Sequence, residues 1–123
     1  MRIRTINNTK QEGSQGENKA NEYLINLGYK IIKTNFTFGK VGEIDIIAKD
    51  GDTLVFVEVR KRLNNKYGKP EESLTPKKRN KIRKTAEAYL YINKIENIEC
   101  RFDFIGIEQK NNEIIINHIK NAF

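Results

Sequence analysis

The chain has 123 residues, 37% apolar and 32% charged, with a formal net charge of +7, one Cys and one His. That length suits one hydrophobic core, the composition fits a small α/β or α+β domain, and only two prolines argue against a long linker. One Cys excludes a disulfide framework and a Cys-rich zinc module; with no long apolar run and no signal-peptide apolar region in MRIRTINNTKQEGSQG, a cytoplasmic location is expected. The basic balance favours a polyanionic partner, nucleic acid before an anionic membrane surface.

Residues 1–12 are polar and basic without a sustained period, and are expected to form a loose arm ahead of a single domain over 13–123. From Gly13 to Leu27 the residues Ala20, Tyr23, Leu24 and Leu27 fall at i, i+3, i+4 and i+7, which predicts an amphipathic helix stopped by Gly28. Glu17 stands one turn before Ala20 on the same inward stripe. It either favours the positive end of the helix dipole or brings a carboxylate to a site. Residues 29–38 predict a strand.

Residues 42–62, GEIDIIAKDGDTLVFVEVRKR, predict a hairpin with strands at about 41–49 and 53–60. With Asp50-Gly51 as a two-residue turn, Ile47 lies opposite Leu54, Asp45 opposite Phe56, and Glu43 opposite Glu58. Asp45 and Glu58 then share a face as diagonal neighbours, their Cβ atoms about 7–8 Å apart or somewhat less. Carboxylates so placed repel one another and lose hydration, penalties that a shared divalent cation relieves. Oxygen ligands favour Mg²⁺, Mn²⁺ or Ca²⁺ over zinc. A solvated face with scattered acids is the alternative, but Arg60, two residues after Glu58 and on its face, sets a permanent cation beside the pair.

Residues 61–74 contain Gly68, Pro70 and two asparagines and predict a loop at the end of the sheet where Glu58 and Arg60 lie. A second helix follows over about Thr75–Asn93, with Thr75 as N-cap and Pro76 at its first position. Its stripe is Ile82, Ala86, Tyr89 and Leu90; Lys78, four residues before Ile82, falls on or beside the buried edge. Lys77, Lys81 and Lys84 lie on a wet face open to phosphates, although a charge run is often only a solvated surface.

Residues 98–108 and 113–119 predict two more strands, and the helix before them allows a crossover that places the third and fourth strands parallel. Asp103, between Phe102 and Phe104, is either structural or near the site. His118 reads as packed or surface rather than a ligand, and Cys100 as a small hydrophobe.

A leading helix with an inward Glu, an acid in one strand and Glu-x-basic ending the next resembles the PD-(D/E)xK nuclease core. GEIDIIAKDGDTLVFVEVRKR, followed by YGKPEESLTPKKRNKIRKTAEAYL and CRFDFIGI, is similar to the uncharacterised bacterial YraN-like family over about Gly13–Ile107. That family is grouped with nucleases similar to archaeal Holliday-junction resolvases. The resemblance implies an α/β fold, restriction-endonuclease-like, in three α/β/α layers around a central mixed sheet of order α-β-β-β-α-β-β. It implies Asp45 and Glu58, with the carbonyl of Val59, as ligands of one or two Mg²⁺ (or Mn²⁺) ions, and Glu17 as a residue that orients a metal-bound water or completes coordination. Arg60 stands where the motif has lysine, and Ile44 where it has proline before the aspartate. Arginine donates hydrogen bonds and charge but does not deprotonate a water; Lys78 is the candidate replacement amine.

The expected activity is metal-dependent endonucleolytic hydrolysis of nucleic acid, DNA favoured over RNA, on structured or branched substrate, with Lys77, Lys78, Lys81 and Lys84 on the backbone. Resolvase-like action implies a homodimer. Two rivals stand beside this reading: a non-catalytic nucleic-acid-binding protein that keeps the fold, which Arg60 favours, and a scaffold whose basic surface serves protein partners.

Overall fold

The computed structural model describes residues 9–62 and 73–123, with side chains over 18–61 and 73–123. Helix α1 (Thr9–Asn26) leads to strands β1 (Lys30–Phe38), β2 (Gly42–Asp50) and β3 (Thr53–Arg62); helix α2 (Pro76–Ile92) then precedes β4 (Glu99–Lys110) and β5 (Glu113–Ile119). The strands lie in the order β1-β2-β3-β4-β5 in one sheet. β3 and β4 run parallel across the α2 connection, and the other neighbours are antiparallel. This is the expected α/β order.

The strands alternate between two cores. Leu54, Phe56 and Phe104 meet Ile82, Ala86 and Tyr89 of α2 on one face, while Val55, Val57, Ile105 and Ile107 meet Ala20 and Leu24 of α1 on the other. The sheet is therefore the middle of three layers, the arrangement expected of a restriction-endonuclease-like chain. Burial of these side chains is the main stabilising term, about 1.5–3 kcal/mol for each large one.

α1 begins at Thr9, inside the stretch expected to be an arm. Lys10, Gln11 and Glu12 are good helix formers and carry the helix back past Gly13. At its other end Gly28, at φ +95, closes a Schellman motif: Tyr29 N–H donates to Leu24 O and Gly28 N–H to Ile25 O, both at 2.9 Å. The bend leaves Leu27 exposed rather than on the inward stripe, and buries Tyr29 in its place. α2 starts as expected. Thr75 accepts from Lys78 N–H at 3.2 Å and Pro76 stands at the first position; the first turn carries no acid.

The hairpin differs from expectation by two residues. Asp50 pairs with Thr53 and Ile47 with Phe56, so Gly51-Asp52 is the turn. Gly51 has φ +60 and Asp52 is not among the positive-φ residues, which places the glycine first, as a type II′ turn requires. An even slip keeps every side chain on its face. It changes which acids are level.

Among the described residues no helix is long and apolar enough to cross a membrane.

Candidate active site

The β2–β3 ladder runs from the turn to Ile46↔Val57, and continuing it by one step sets Asp45 level with Glu58. There the main-chain pairing gives way to a side chain: Val59 N–H donates to Asp45 Oδ2 at 2.8 Å. On the other side of β2, Asn35 sits between the pairs Thr34↔Ile46 and Phe36↔Ile44 with φ +53, a left-handed conformation that asparagine tolerates. The alternation breaks at this point. Ile44 packs toward α2 and Ile46 toward α1, whereas a regular strand would send both one way. Glu43, expected opposite Glu58, pairs instead with Thr37 on β1.

Asp45 and Glu58 are brought together, as expected, though side by side rather than diagonally. Their carboxyls hydrogen-bond to one another. Burial raises the Asp45 pKa, opposed by the Val59 N–H, the Glu58 hydrogen bond and the Arg60 charge. Glu58 is pushed up to about 8, first by burial, then by the Asp45 charge, with Arg60 opposing and Glu43 adding to the rise. Two adjacent carboxyls out of water do not both ionise without a cation to accept the second charge.

The pair lies in a cleft of about 440 Å³ floored by β2 and β3 and walled by α2. Arg60 and Lys61 line it from β3, and Lys78 and Lys81 from α2. Arg60 shares the face of Glu58 as expected, its Nε 3.6 Å from Glu58 Oε1. That nitrogen is buried and has no hydrogen-bond partner, so among the described residues its polar contact is the ion pair with Glu58. Lys78 is half-buried at the cleft edge, and Lys77 and Lys84 are exposed outside it. Lys81 is exposed yet faces the cleft. Two arginines of the same run have other tasks: Arg79 Nε donates to Leu74 O at 3.0 Å, and Arg83 lies over the rings of Phe102 and Phe123.

The residues suit a hard divalent cation. Asp45 and Glu58 supply oxygen donors, and Val59 adds a third: in an extended strand a residue's N–H and C=O face the same neighbour, so the Val59 carbonyl looks toward the Asp45 side. Among the described residues no third His, Cys, Asp or Glu completes a metal cluster with them. Glu17 lies in α1, but its side chain is outside the described residues; so are residues 63–72 of the expected covering loop.

One feature of the cleft was not foreseen. A Cβ on Gly42 would come within 2.7 Å of Thr85 Oγ1 and 3.4 Å of Lys81 O. Gly42 thus lets α2 lie directly on β2, which sets Lys78 and Lys81 over the acids. Thr85 is fully buried and donates to Lys81 O at 2.8 Å. A glycine and a threonine forty-three residues apart give no pattern to read.

Asp103 belongs to the opposite face and not to the cleft. Arg101 donates to both its oxygens at 2.8 and 3.0 Å, Asn121 N–H adds another bond at 3.0 Å, and His118 Nε2 lies 2.8 Å away. A carboxylate only accepts, so His118 donates from Nε2 and takes the Tyr23 hydroxyl at Nδ1, 3.2 Å away. Arg101 also reaches Asp50 and Tyr29. His118 is packed, as expected, and burial raises the Cys100 thiol pKa, which disfavours a nucleophile.

A family model described as uncharacterised protein family UPF0102 matches residues 16–107. The UPF0102 protein of Persephonella marina is 51% identical over 112 residues, covering 91% of this chain and 92% of that protein. That of Carboxydothermus hydrogenoformans is 41% identical over 115 residues, covering 94% and 97%. That of Clostridioides difficile is 47% identical over 116 residues, covering 94% and 99%.

Proposed function

The chain belongs to uncharacterised protein family UPF0102, and from the carboxylate pair it builds beneath a basic helix we propose that it is a metal-dependent endonuclease acting on DNA in the cytoplasm. One observation carries this reading. Asp45 and Glu58 are half-buried side by side with Glu58 raised to about 8, an arrangement that costs stability unless a cation or a proton separates the charges.

Asp45, Glu58 and the Val59 carbonyl would hold one or two Mg²⁺ or Mn²⁺ ions. Such an ion, when bound, lowers the pKa of coordinated water and polarises phosphoryl oxygen. The chain's own residues supply the rest. The Val59 N–H fixes the Asp45 carboxylate in orientation. Arg60, with an unpartnered buried Nε, and Lys78 stabilise negative charge as it grows on the phosphate, a contribution of about 3–4 kcal/mol for a well-placed donor. Lys81 lies at the cleft for the adjoining backbone, with Lys77 and Lys84 farther along α2. Glu17 is retained as the residue that orients the attacking water.

The test is to incubate the purified protein with duplex, single-stranded and four-way-junction DNA, with Mg²⁺, Mn²⁺ or chelator. Cleavage should require metal and vanish in Asp45→Ala and Glu58→Ala; cleavage indifferent to either would sink the reading. A second reading, nucleic-acid binding without hydrolysis, is favoured by Arg60 in the lysine position, since a permanent cation binds phosphate but accepts no proton. It predicts salt-sensitive binding with intact substrate in both metals.

A further inference from the structure

The two edges of the sheet are built differently. β1 is interrupted by a register shift between Ile31 and Lys33, carries Asn35 at φ +53 and exposes Lys30 and Lys33. These are the devices that stop an edge strand from recruiting another strand. β5 has none of them. Its ladder with β4 is regular from Glu113 to Ile119, it contains no Pro, Lys or Arg, and among the described residues nothing pairs with its outer side. Ile114 and Ile115 are 42% and 46% exposed; being adjacent, they look out from opposite faces.

The strand is also held in place. His118 is hydrogen-bonded to Asp103 and Tyr23, and Ile116 and Ile119 pack against the two cores. We propose that β5 is the dimer interface of this protein, pairing antiparallel with β5 of a second copy about a two-fold axis perpendicular to the sheet at Ile115. In that register Ile115 meets its own counterpart, Ile114 meets Ile116, and Glu113 meets Asn117. The apolar run is therefore complementary to itself, as an isologous contact requires.

Charge also selects a second copy at this edge. A chain of net charge +7 repels itself over most of its surface, but the only charge in β5 is Glu113. Pairing through β1 would set lysines against lysines.

An axis perpendicular to the sheet preserves its faces, so both clefts open on the same side of a continuous ten-stranded sheet. Each cleft, at β2–β3, lies two and a half strand spacings from β5, which sets the two about 29 Å apart across the sheet at about 4.8 Å per strand. The use of this pairing to cut both strands of one duplex rests on the nuclease reading. The dimer itself does not.

Sedimentation of the full chain from about 1 to about 100 µM should give a mass of about twice 14.3 kDa. Ile115→Lys and, on the other face, Ile114→Lys should each return it to the monomer with unchanged circular dichroism, whereas Tyr91→Lys at the 86% exposed end of α2 should leave the dimer intact. Amide exchange in 113–117 should slow as concentration rises in the wild type and in Tyr91→Lys, but not in Ile114→Lys or Ile115→Lys. A monomer at every concentration, protection of β5 only by a different protein, or a dimer unmoved by both lysine variants would overturn the proposal. None of these results bears on metal-dependent cleavage, which the DNA assay reads separately.

Discussion

Two buried carboxylate centres, one on each face of the sheet, show what burial means with and without compensation. Asp103 is wholly buried, yet hydrogen bonds from His118, Arg101 and Asn121 together outweigh burial and hold its pKa below the usual value. Asp45 and Glu58 keep more solvent but have one N–H, one distant arginine and each other, and both pKa values rise. The first centre is finished and ties β4, β5, α1 and the β2–β3 turn together. The second is unfinished, and on the proposed function a bound cation would complete it.

The contrast predicts opposite responses to mutation. Asp103→Ala leaves the half-buried Arg101 and the packed His118 without their shared carboxylate and should cost about 3–5 kcal/mol in urea unfolding. A loss below 1 kcal/mol would erase the distinction. Glu58→Gln should instead raise the stability of the metal-free protein while abolishing any upward shift of Tm by Mg²⁺ and lowering cleavage at least about 100-fold, beyond the cost of losing an outer-shell partner.

Overpacking tests the wall of the cleft. Gly42→Ala drives a methyl into Thr85 Oγ1 and should cost about 1–3 kcal/mol, with cleavage and metal-free DNA affinity falling together as Lys78 and Lys81 move. Adding Thr85→Ala should restore part of both. If the double variant binds no better than the single one, the contact does not set the helix.

The two centres also part on the pH axis. Glu58 is raised from 4.5 to about 8, so its stabilising protonated form is complete below about 4.5 and is lost as pH climbs toward 8. Asp103 is lowered, so its contribution is complete above about 4 and is lost as pH falls below that. In chelator, Tm should therefore rise as pH is lowered from 8 to 5 and fall in stronger acid; Glu58→Gln should flatten the alkaline limb alone. The smallest expected effect is Thr75→Ala, about 1 kcal/mol from the lost cap of α2, measured by thermal unfolding.

Much of this was legible from the residues. The element order, the Gly28 stop, the Thr75 cap and the shared face of Glu58 and Arg60 follow from local chemistry and from periods that tertiary structure did not override. The level of the acids was not, because an Asp-Gly-Asp stretch does not say which of two adjacent residues opens the turn. Nor was the split of Ile44 from Ile46, since it depends on Asn35 adopting a positive φ across the sheet. The partners of Asp103 come from β4, β5 and the turn after β5, and their meeting is a property of the fold. Glu17 and the 63–72 segment lie beyond the described side chains.

The first turn of α2 has a consequence of its own. Lys77, Lys78 and Arg79 follow the cap where a helix already presents the positive pole of its dipole, and no acid accompanies them. Each such cation opposes helix formation by about 0.3–1 kcal/mol at low ionic strength. On the proposed function, an incoming phosphate would cancel that self-repulsion as it docks, so occupancy would stiffen the very segment that receives it, and the helix start would work as a spring relaxed by its ligand.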